Sequence, residues 1–385
     1  MALSRIQHGL PALFAATALF ALGCNTGPAD EGEVDLEAQE QVADDSAALG
    51  GPSWTEAACM TTGRYAHAAL RLASGDVLVA AGYNEAGFVS TAELYSGSSH
   101  AWTAAGSLAE GRHDPSLVTL PGGRALLVGG IGPSGYLATT EIYSPSTNTW
   151  TSGPSLSSAH YVGTASATTN NRVLVAGGVN GPYLTSAEIY DPATNAWSTT
   201  GSLAEARWAH AAVTLVPSGK VLVVGGENAN GFVSSAEVWD PATKAWSSAG
   251  ALTTARRGHR ASLLPLGKVL VVGGENQTGS LAGAEVYDPA TNAWTTVASM
   301  SVPRYFPTII RSGSSLLLVG GRTNDDYTAT TELYDPATNT WTAGQPLITA
   351  RYFHTMTELP SAGGILVTGG WDGVAAQSSA EIYNP

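Results

Sequence analysis

The chain has 385 residues, of which 12% are charged, with 45 glycines and a formal net charge of −14. Few charges and many glycines suit a tightly turned all-β body. The acidic balance excludes nucleic acid as a partner, because no basic patch is available to neutralise phosphates.

The N-terminus reads as a targeting segment. Arg5 precedes an apolar stretch over 10–22, which is too short to span a bilayer. The stretch ends at Ala21-Leu22-Gly23-Cys24, which resembles a bacterial lipobox, in which the Cys is lipidated and becomes the new N-terminus. The pattern predicts a signal peptide over 1–23, lipidation at Cys24, and a lipid-anchored place on the bacterial cell envelope outside the cytoplasm. The only membrane contact expected is through that lipid. Without lipidation the segment is an ordinary secretory signal. Residues 24–50 carry Asp30, Glu31, Glu33, Asp35, Glu37, Glu40, Asp44 and Asp45 and no Lys or Arg, as a disordered, self-repelling tether would. With Cys24 lipidated, Cys59 has no partner for an intrachain disulfide. It then reads as a packed small side chain, since Ser107, Ser155, Ser202, Ala251, Ser299 and Pro346 stand at the same offset in later repeats.

From residue 51 onward one unit recurs. In 268–294 a short Val-rich run ends in Gly273-Gly274, and a polar loop follows. Then come Glu285 and Tyr287, the turn Asp288-Pro289-Ala290-Thr291, and Trp294. The run is too short for a helix and reads as a buried strand, and the Asp-Pro pair suits a tight turn. The second glycine or its equivalent falls at Gly82, Gly130, Gly178, Gly226, Gly274, Gly321 and Gly370. The Trp falls at Trp54, Trp102, Trp150, Trp197, Trp246, Trp294 and Trp341. Both series have spacings of 47 to 49 residues, and the Glu-x-aromatic element repeats seven times with them.

A period near 50, with a diglycine after an apolar strand and then a spaced Tyr and Trp, resembles the kelch repeat over 54–385. Only Ala81-Gly82 departs from the diglycine, and only Trp239 replaces the Tyr. The resemblance implies an all-β fold, a β-propeller with one four-stranded sheet per repeat. Trp54 is an outermost strand with nothing before it in its repeat, and 381–385 is a third strand with nothing after it. The two ends complement each other. The expectation is therefore a seven-bladed propeller over 51–385, its last blade closed by the N-terminal strand around Trp54.

Ten residues after each Trp stand Arg64, Arg112, His160, Arg207, Arg256, Arg304 and Arg351. A residue present in nearly every blade serves every blade, so each Arg is expected to pair with the Glu of its own repeat. Function belongs where repeats differ. The residue after the Arg varies: Tyr65, His113, Tyr161, Trp208, Arg257, Tyr305 and Tyr352. The loops after the diglycine add Asn84, Asn228, Asn276, Arg322, Trp371 and Asp372 to this candidate ligand rim. Aromatics, amides, carboxylates and arginines on one rim suit a protein loop or a glycan on the cell envelope.

Enzyme readings are weaker. Resemblance to the galactose oxidase group would imply a copper site of Tyr and His and a Cys linked to a Tyr. Here no adjacent Tyr-His pair occurs, only His160-Tyr161 in reversed order. A sialic acid mutarotase type of kelch propeller would use a carboxylate and an Arg, but no specific motif marks it. The histidines His67, His113, His160, His210, His259 and His354 largely follow the repeat, which suits packing better than a metal ring. No dinucleotide loop is present, since the diglycines do not open helices. The expectation is a binding module with no metal, no cofactor and no catalytic residue, with a carbohydrate-active enzyme as the alternative.

Overall fold

The computed structural model describes residues 51–360 and 363–385. The expected signal peptide, the tether and Cys24 lie outside the described residues. Seven four-stranded antiparallel sheets are present. Blade 1 runs Ala68–Arg71, Val77–Ala80, Thr91–Tyr95 and Trp102–Ser107, here strands a to d from the axis outward. Strands a of blades 2 to 6 begin at Ser116, Thr164, Ala211, Arg260 and Thr308. Blade 7 takes a, b and c from Thr355–Leu359, Gly364–Thr368 and Ala380–Asn384, and d from Ser53–Ala57. Trp54 pairs with Tyr383 and Ala57 with Ala380, so the first strand closes the last blade as expected.

Strand b is apolar throughout because it has a neighbouring blade on each side. In blade 1, Leu78 and Ala80 pack toward blade 2, while Val77 and Val79 pack toward blade 7. Seven apolar clusters result, one at each blade interface. Outside them each Trp reaches back one blade. Trp102 Nε1 donates to Ala58 O at 2.7 Å and Trp294 Nε1 to Ala249 O at 2.8 Å. The Asp-Pro turns close through Asp288 Oδ1, which accepts from the Ala290 amide at 2.9 Å. Tyr287 donates to Asn292 Oδ1 at 2.9 Å, across the same turn.

The expected Arg–Glu pair is present in six blades at 2.6 to 3.2 Å, with both side chains buried. In blade 3, His160 Nε2 stands 3.7 Å from Glu188 Oε1. Burial pushes the Glu188 pKa up, but the nearby His160 and the bonds from the Ser157 amide outweigh it and leave the carboxyl below its ordinary range.

The histidines form a second lattice. His210, His354 and His67 bond the threonine that opens, or nearly opens, strand a of the preceding blade: Thr164, Thr308 and Thr355, at 3.0, 2.6 and 3.0 Å. The same ring explains the diglycine. A Cβ on Gly225 would sit 2.5 Å from His259 Cε1 and 2.7 Å from Arg256 O, and Gly225 and Gly226 both have positive φ. At Ala81 the matching residue in the next blade is Pro115, so no imidazole faces its Cβ.

His259 is the exception. Its Nδ1, like that of the other three, is buried without a partner, and so is its Nε2, because Ala211 occupies the position held elsewhere by threonine. Ala211→Thr is predicted to supply the missing hydroxyl and to raise unfolding stability by about 1 kcal/mol, measured by urea denaturation. An unchanged or lower midpoint would show that the site cannot accept the hydroxyl.

Burial, with Arg64, Arg351 or Arg207 close by, lowers the pKa of His67 and His210 to about 3. Both are neutral in the fold, whereas the unfolded side chain titrates near pH ~6.5. Below that pH the unfolded chain takes up protons that the folded chain refuses. Stability is therefore full above pH ~6.5 and falls toward pH ~3, by up to about 1.4 kcal/mol per pH unit for each histidine. Urea midpoints at pH 7.5, 5.5 and 4.5 should fall steeply, and His210→Gln should flatten the curve. A flat wild-type profile would contradict the neutral assignment.

Candidate functional site

The loop between strand d of one blade and strand a of the next is fixed from its root. Glu285 accepts the Thr253 amide at 2.8 Å and the Thr254 amide at 3.4 Å. Arg256 Nη1 donates to Gly273 O and Gly283 O at 2.9 and 2.8 Å, and Nη2 donates to Glu285. The next three residues therefore have set directions. The first is the rim residue. It pairs with the residue after the diglycine of its own blade: Tyr65 with Tyr83, His113 with Ile131, Tyr161 with Val179, Trp208 with Glu227, Arg257 with Glu275, Tyr305 with Arg322, and Tyr352 with Trp371. This register places all seven variable residues on one face with the b–c loops.

The second residue turns into the axial channel in the left-handed region: Ala66, Asp114, Val162, Ala209, Gly258, Phe306 and Phe353, with φ of 46 to 60°. That conformation is unfavourable for Val and Phe. It is held by a partial ring of blade-to-blade hydrogen bonds, from the amides of Ala66, Asp114, Ala209, Gly258 and Phe306 to Phe353, Ala66, Val162, Ala209 and Gly258 O. The third residue is the histidine of the lattice in four blades.

The rim divides into two chemical arcs. The longer one is aromatic and runs through blades 6, 7, 1, 2 and 3. Tyr327, Tyr352 and Phe353 pack in series, and Phe353 meets Tyr65. Tyr65 contacts Trp371 and Tyr83, Tyr83 contacts Phe88 and His113, and His113 contacts Tyr161, all edge to face at 64 to 86°. Tyr136 continues the arc from Tyr161. Tyr305 and Tyr352 share a hydroxyl bond of 2.9 Å. Burial, helped by Asp114, pushes the Tyr161 pKa up, and burial with the Tyr305 bond does the same at Tyr352, so both phenols are un-ionised donors.

The shorter arc is charged. Arg257 bridges Glu227 and Glu275, with Nε and Nη2 at 2.8 and 2.6 Å from Glu275 Oε1. Its guanidinium lies 5.4 Å from the Trp208 ring centroid and 5.6 Å from that of Phe232. Burial alone would lower the Arg257 pKa, but Glu275 and Glu227 outweigh it and hold the group charged.

The remaining predicted rim residues have other tasks. Asn84, Asn228 and Asn276 accept the amides of Ala86, Asn230 and Thr278 and so close the b–c turns. Asp372 accepts from Val374 and Ala375 in the same way. Arg322 is exposed and Trp371 half-buried on the rim. The sequence reading missed Phe306, Phe353, Asp114 and Arg260, which line the channel. A register comparison two and four residues after the Arg would have found them. Two expectations for Cys59 need correction. The position five residues after the Trp is exposed in the other six repeats, so it is not a packing site. Cys59 itself is half-buried and disulfide-bonded.

The KLHDC2/KLHL20/DRC7 Kelch-repeats domain family matches residues 209–383, and the Kelch motif matches 115–157 and 160–203. The chain is a kelch-repeat β-propeller. Comparison with curated proteins finds no match. Among solved structures, a fungal alcohol oxidase of the AA5 family in complex with copper aligns with a TM-score of 0.71 at 18% identity, covering 86% of this chain and 76% of that one. YjhT aligns at 0.60 and 16%, covering 74% and 99%. At these identities the likeness is one of fold. A copper centre of the galactose oxidase type takes a Cys linked to a Tyr. Among the described residues no three His, Cys, Asp or Glu gather as a metal ligand set. Cys59, held in its disulfide, cannot link to a tyrosine.

Proposed function

We propose that this kelch propeller is an extracytoplasmic binding module whose partner is a protein, docked on the face carrying the two arcs. The observation that supports this most is the interlocked aromatic arc. Rings that hold one another across blade boundaries are ordered before binding, so little side-chain entropy is lost when a partner docks. They offer edges, hydroxyls and a Trp beside an Arg–Glu cluster, the residue types that anchor protein interfaces. A sugar stacks on an open ring face. Here ring edges cover many of those faces, and Arg257 lies over Trp208. A glycan therefore fits this surface less well than a protein loop.

Export is supported by the apolar 10–22 segment and by the Cys59 disulfide, which belongs to an oxidising compartment. The chain has two cysteines, so the Cys24 sulfur can carry lipid or bond Cys59, but not both. Anchoring on the bacterial envelope through Cys24 requires Cys59 to find its sulfur elsewhere.

Two predictions follow from this reading. Tyr83→Ala with Trp371→Ala should weaken capture of one specific envelope protein by at least about 30-fold, as loss of a hot spot does. Leu266→Ser, in an a–b turn away from that face, should leave capture unchanged. Capture unaffected by the rim pair, or a glycan-array signal lost with it, would replace the protein reading. For the anchor, alkyne-fatty-acid labelling should mark the wild type and not Cys24→Ser. A linked Cys24–Cys59 peptide in unreduced, unlabelled protein would make it a secreted protein instead.

A further inference from the structure

One side chain breaks the sevenfold equivalence inside the channel. Four residues after the anchoring Arg or His160 stand Ala68, Ser116, Thr164, Ala211, Thr308 and Thr355, all small, and in blade 5 Arg260. The fold asks for a small residue at this position, and three of the six use it as, or in place of, the hydroxyl that meets a histidine. Blade 6 has Pro307 where that histidine would be, so no lattice bond explains Arg260.

The channel widens here to a cavity of about 400 Å³, walled by Val162, Ala261, Ile309, Phe353 and Met356, with Arg260 and Asp114 as its charged residues. Arg260 Nε donates to Pro307 O at 2.7 Å, and the guanidinium carbon lies 5.5 Å from the Phe306 ring centroid. These contacts fix the direction of the group and leave its two terminal nitrogens without an acceptor among the described residues. No carboxylate of those residues lies within the 4.0 Å of an ion pair. Every other Arg at the roots of the blades is paired. Burial lowers the Arg260 pKa, with the Asp114 charge opposing it. On the blade 2 side, Asp114 Oδ2 takes His113 at 2.9 Å and Tyr161 at 3.4 Å, and its second oxygen has no partner among the described residues. Arg260 is half-buried, so its two unused donors remain accessible from the channel.

We infer that the channel cavity is a binding site for a small organic acid. Its carboxylate would lie against the two free nitrogens of Arg260 as a bidentate pair, and a hydroxyl or ammonium group of the same molecule would donate to Asp114. The volume falls in the range of small-ligand pockets, and the walls supply apolar contact for a short carbon skeleton. This site goes beyond the docking of a protein on the rim, and it uses different residues.

Calorimetric titration of the full chain with malate, glutamate and glucuronate tests it. At least one of the three should bind saturably. Arg260→Thr copies the residue of blades 3, 6 and 7, so it should fold with an unchanged or higher Tm and bind about 10- to 100-fold more weakly. Asp114→Asn should change the preference among the three acids. No saturable binding by any acid, or equal binding by Arg260→Thr, would overturn the inference. So would a lower Tm of that variant with binding intact, which would make Arg260 a structural strut. The rim pair Tyr83→Ala with Trp371→Ala should retain acid binding, so this test and the protein-partner test can fail separately.

Discussion

The buried pair between the Arg of each d–a loop and the Glu of strand c is the interaction on which the rest depends. Net stability is not its main contribution, since desolvation roughly cancels the attraction in such pairs. Its value is positional. The guanidinium reaches two carbonyls and a carboxylate at fixed angles, and the carboxylate takes two loop amides. Nearly all donors and acceptors are used, so the loop has one conformation. The direction of the rim residue, of the left-handed residue and of the lattice histidine all follow from that conformation. Blade 3 shows the limit of substitution. His160 Nδ1 still reaches Gly177 O at 2.6 Å, but the imidazole cannot span to the strand c carbonyl as well.

Strain and lattice answer each other around the axis. Six non-glycine residues hold positive φ at the channel mouth, a conformation that each would leave in an isolated loop. Ala66, Asp114, Ala209 and Phe306 are held by blade-to-blade bonds from their amides, and Ala66, Ala209 and Phe353 are followed by a histidine packed on the glycine of the preceding blade. A closed ring makes these constraints mutual. No blade can relax its mouth without disturbing both neighbours, and the strand Ser53–Ala57 removes the one edge at which relaxation could start.

The architecture was legible from sequence because repetition is a redundant signal. Gly274, the aromatic position of Tyr287 and Trp294 each recur seven times, and the unmatched ends at Trp54 and Tyr383 could be counted. The Arg–Glu pairing was legible too, since a buried charge repeated in every blade needs a partner. The rim was legible only in part. The position after the Arg was found because its residue types vary, and the structure does bring Tyr65, Trp208 and Arg257 to one face. Asn84, Asn228, Asn276 and Asp372 have the composition of ligand contacts, but their side chains are occupied by turn amides, which composition does not reveal. Phe306 and Phe353 were hidden because they stand in the d–a loop beside the variable rim position, and only the channel geometry shows that this residue turns inward. Cys59 was misread because the lipobox argument had already removed its only possible partner within the chain.

A repeat protein carries its own control experiment, because each blade shows what the fold alone requires at a given position. Residues that agree across blades are accounted for by the fold. Residues that differ but are satisfied, such as Arg257 between Glu227 and Glu275, are accounted for by local compensation. What neither explains is a departure that leaves chemistry open. Ala211 is one such departure and leaves a histidine without a bond, a defect on the scale of a single hydrogen bond. Arg260 is the opposite kind. It adds a charge where six blades have none, at the wall of the channel, and leaves two of its donors unused. A defect is removed by restoring the consensus residue. An excess charge held in place by a ring and a carbonyl has been positioned, and the group it is positioned for is the part of this molecule that the fold does not contain.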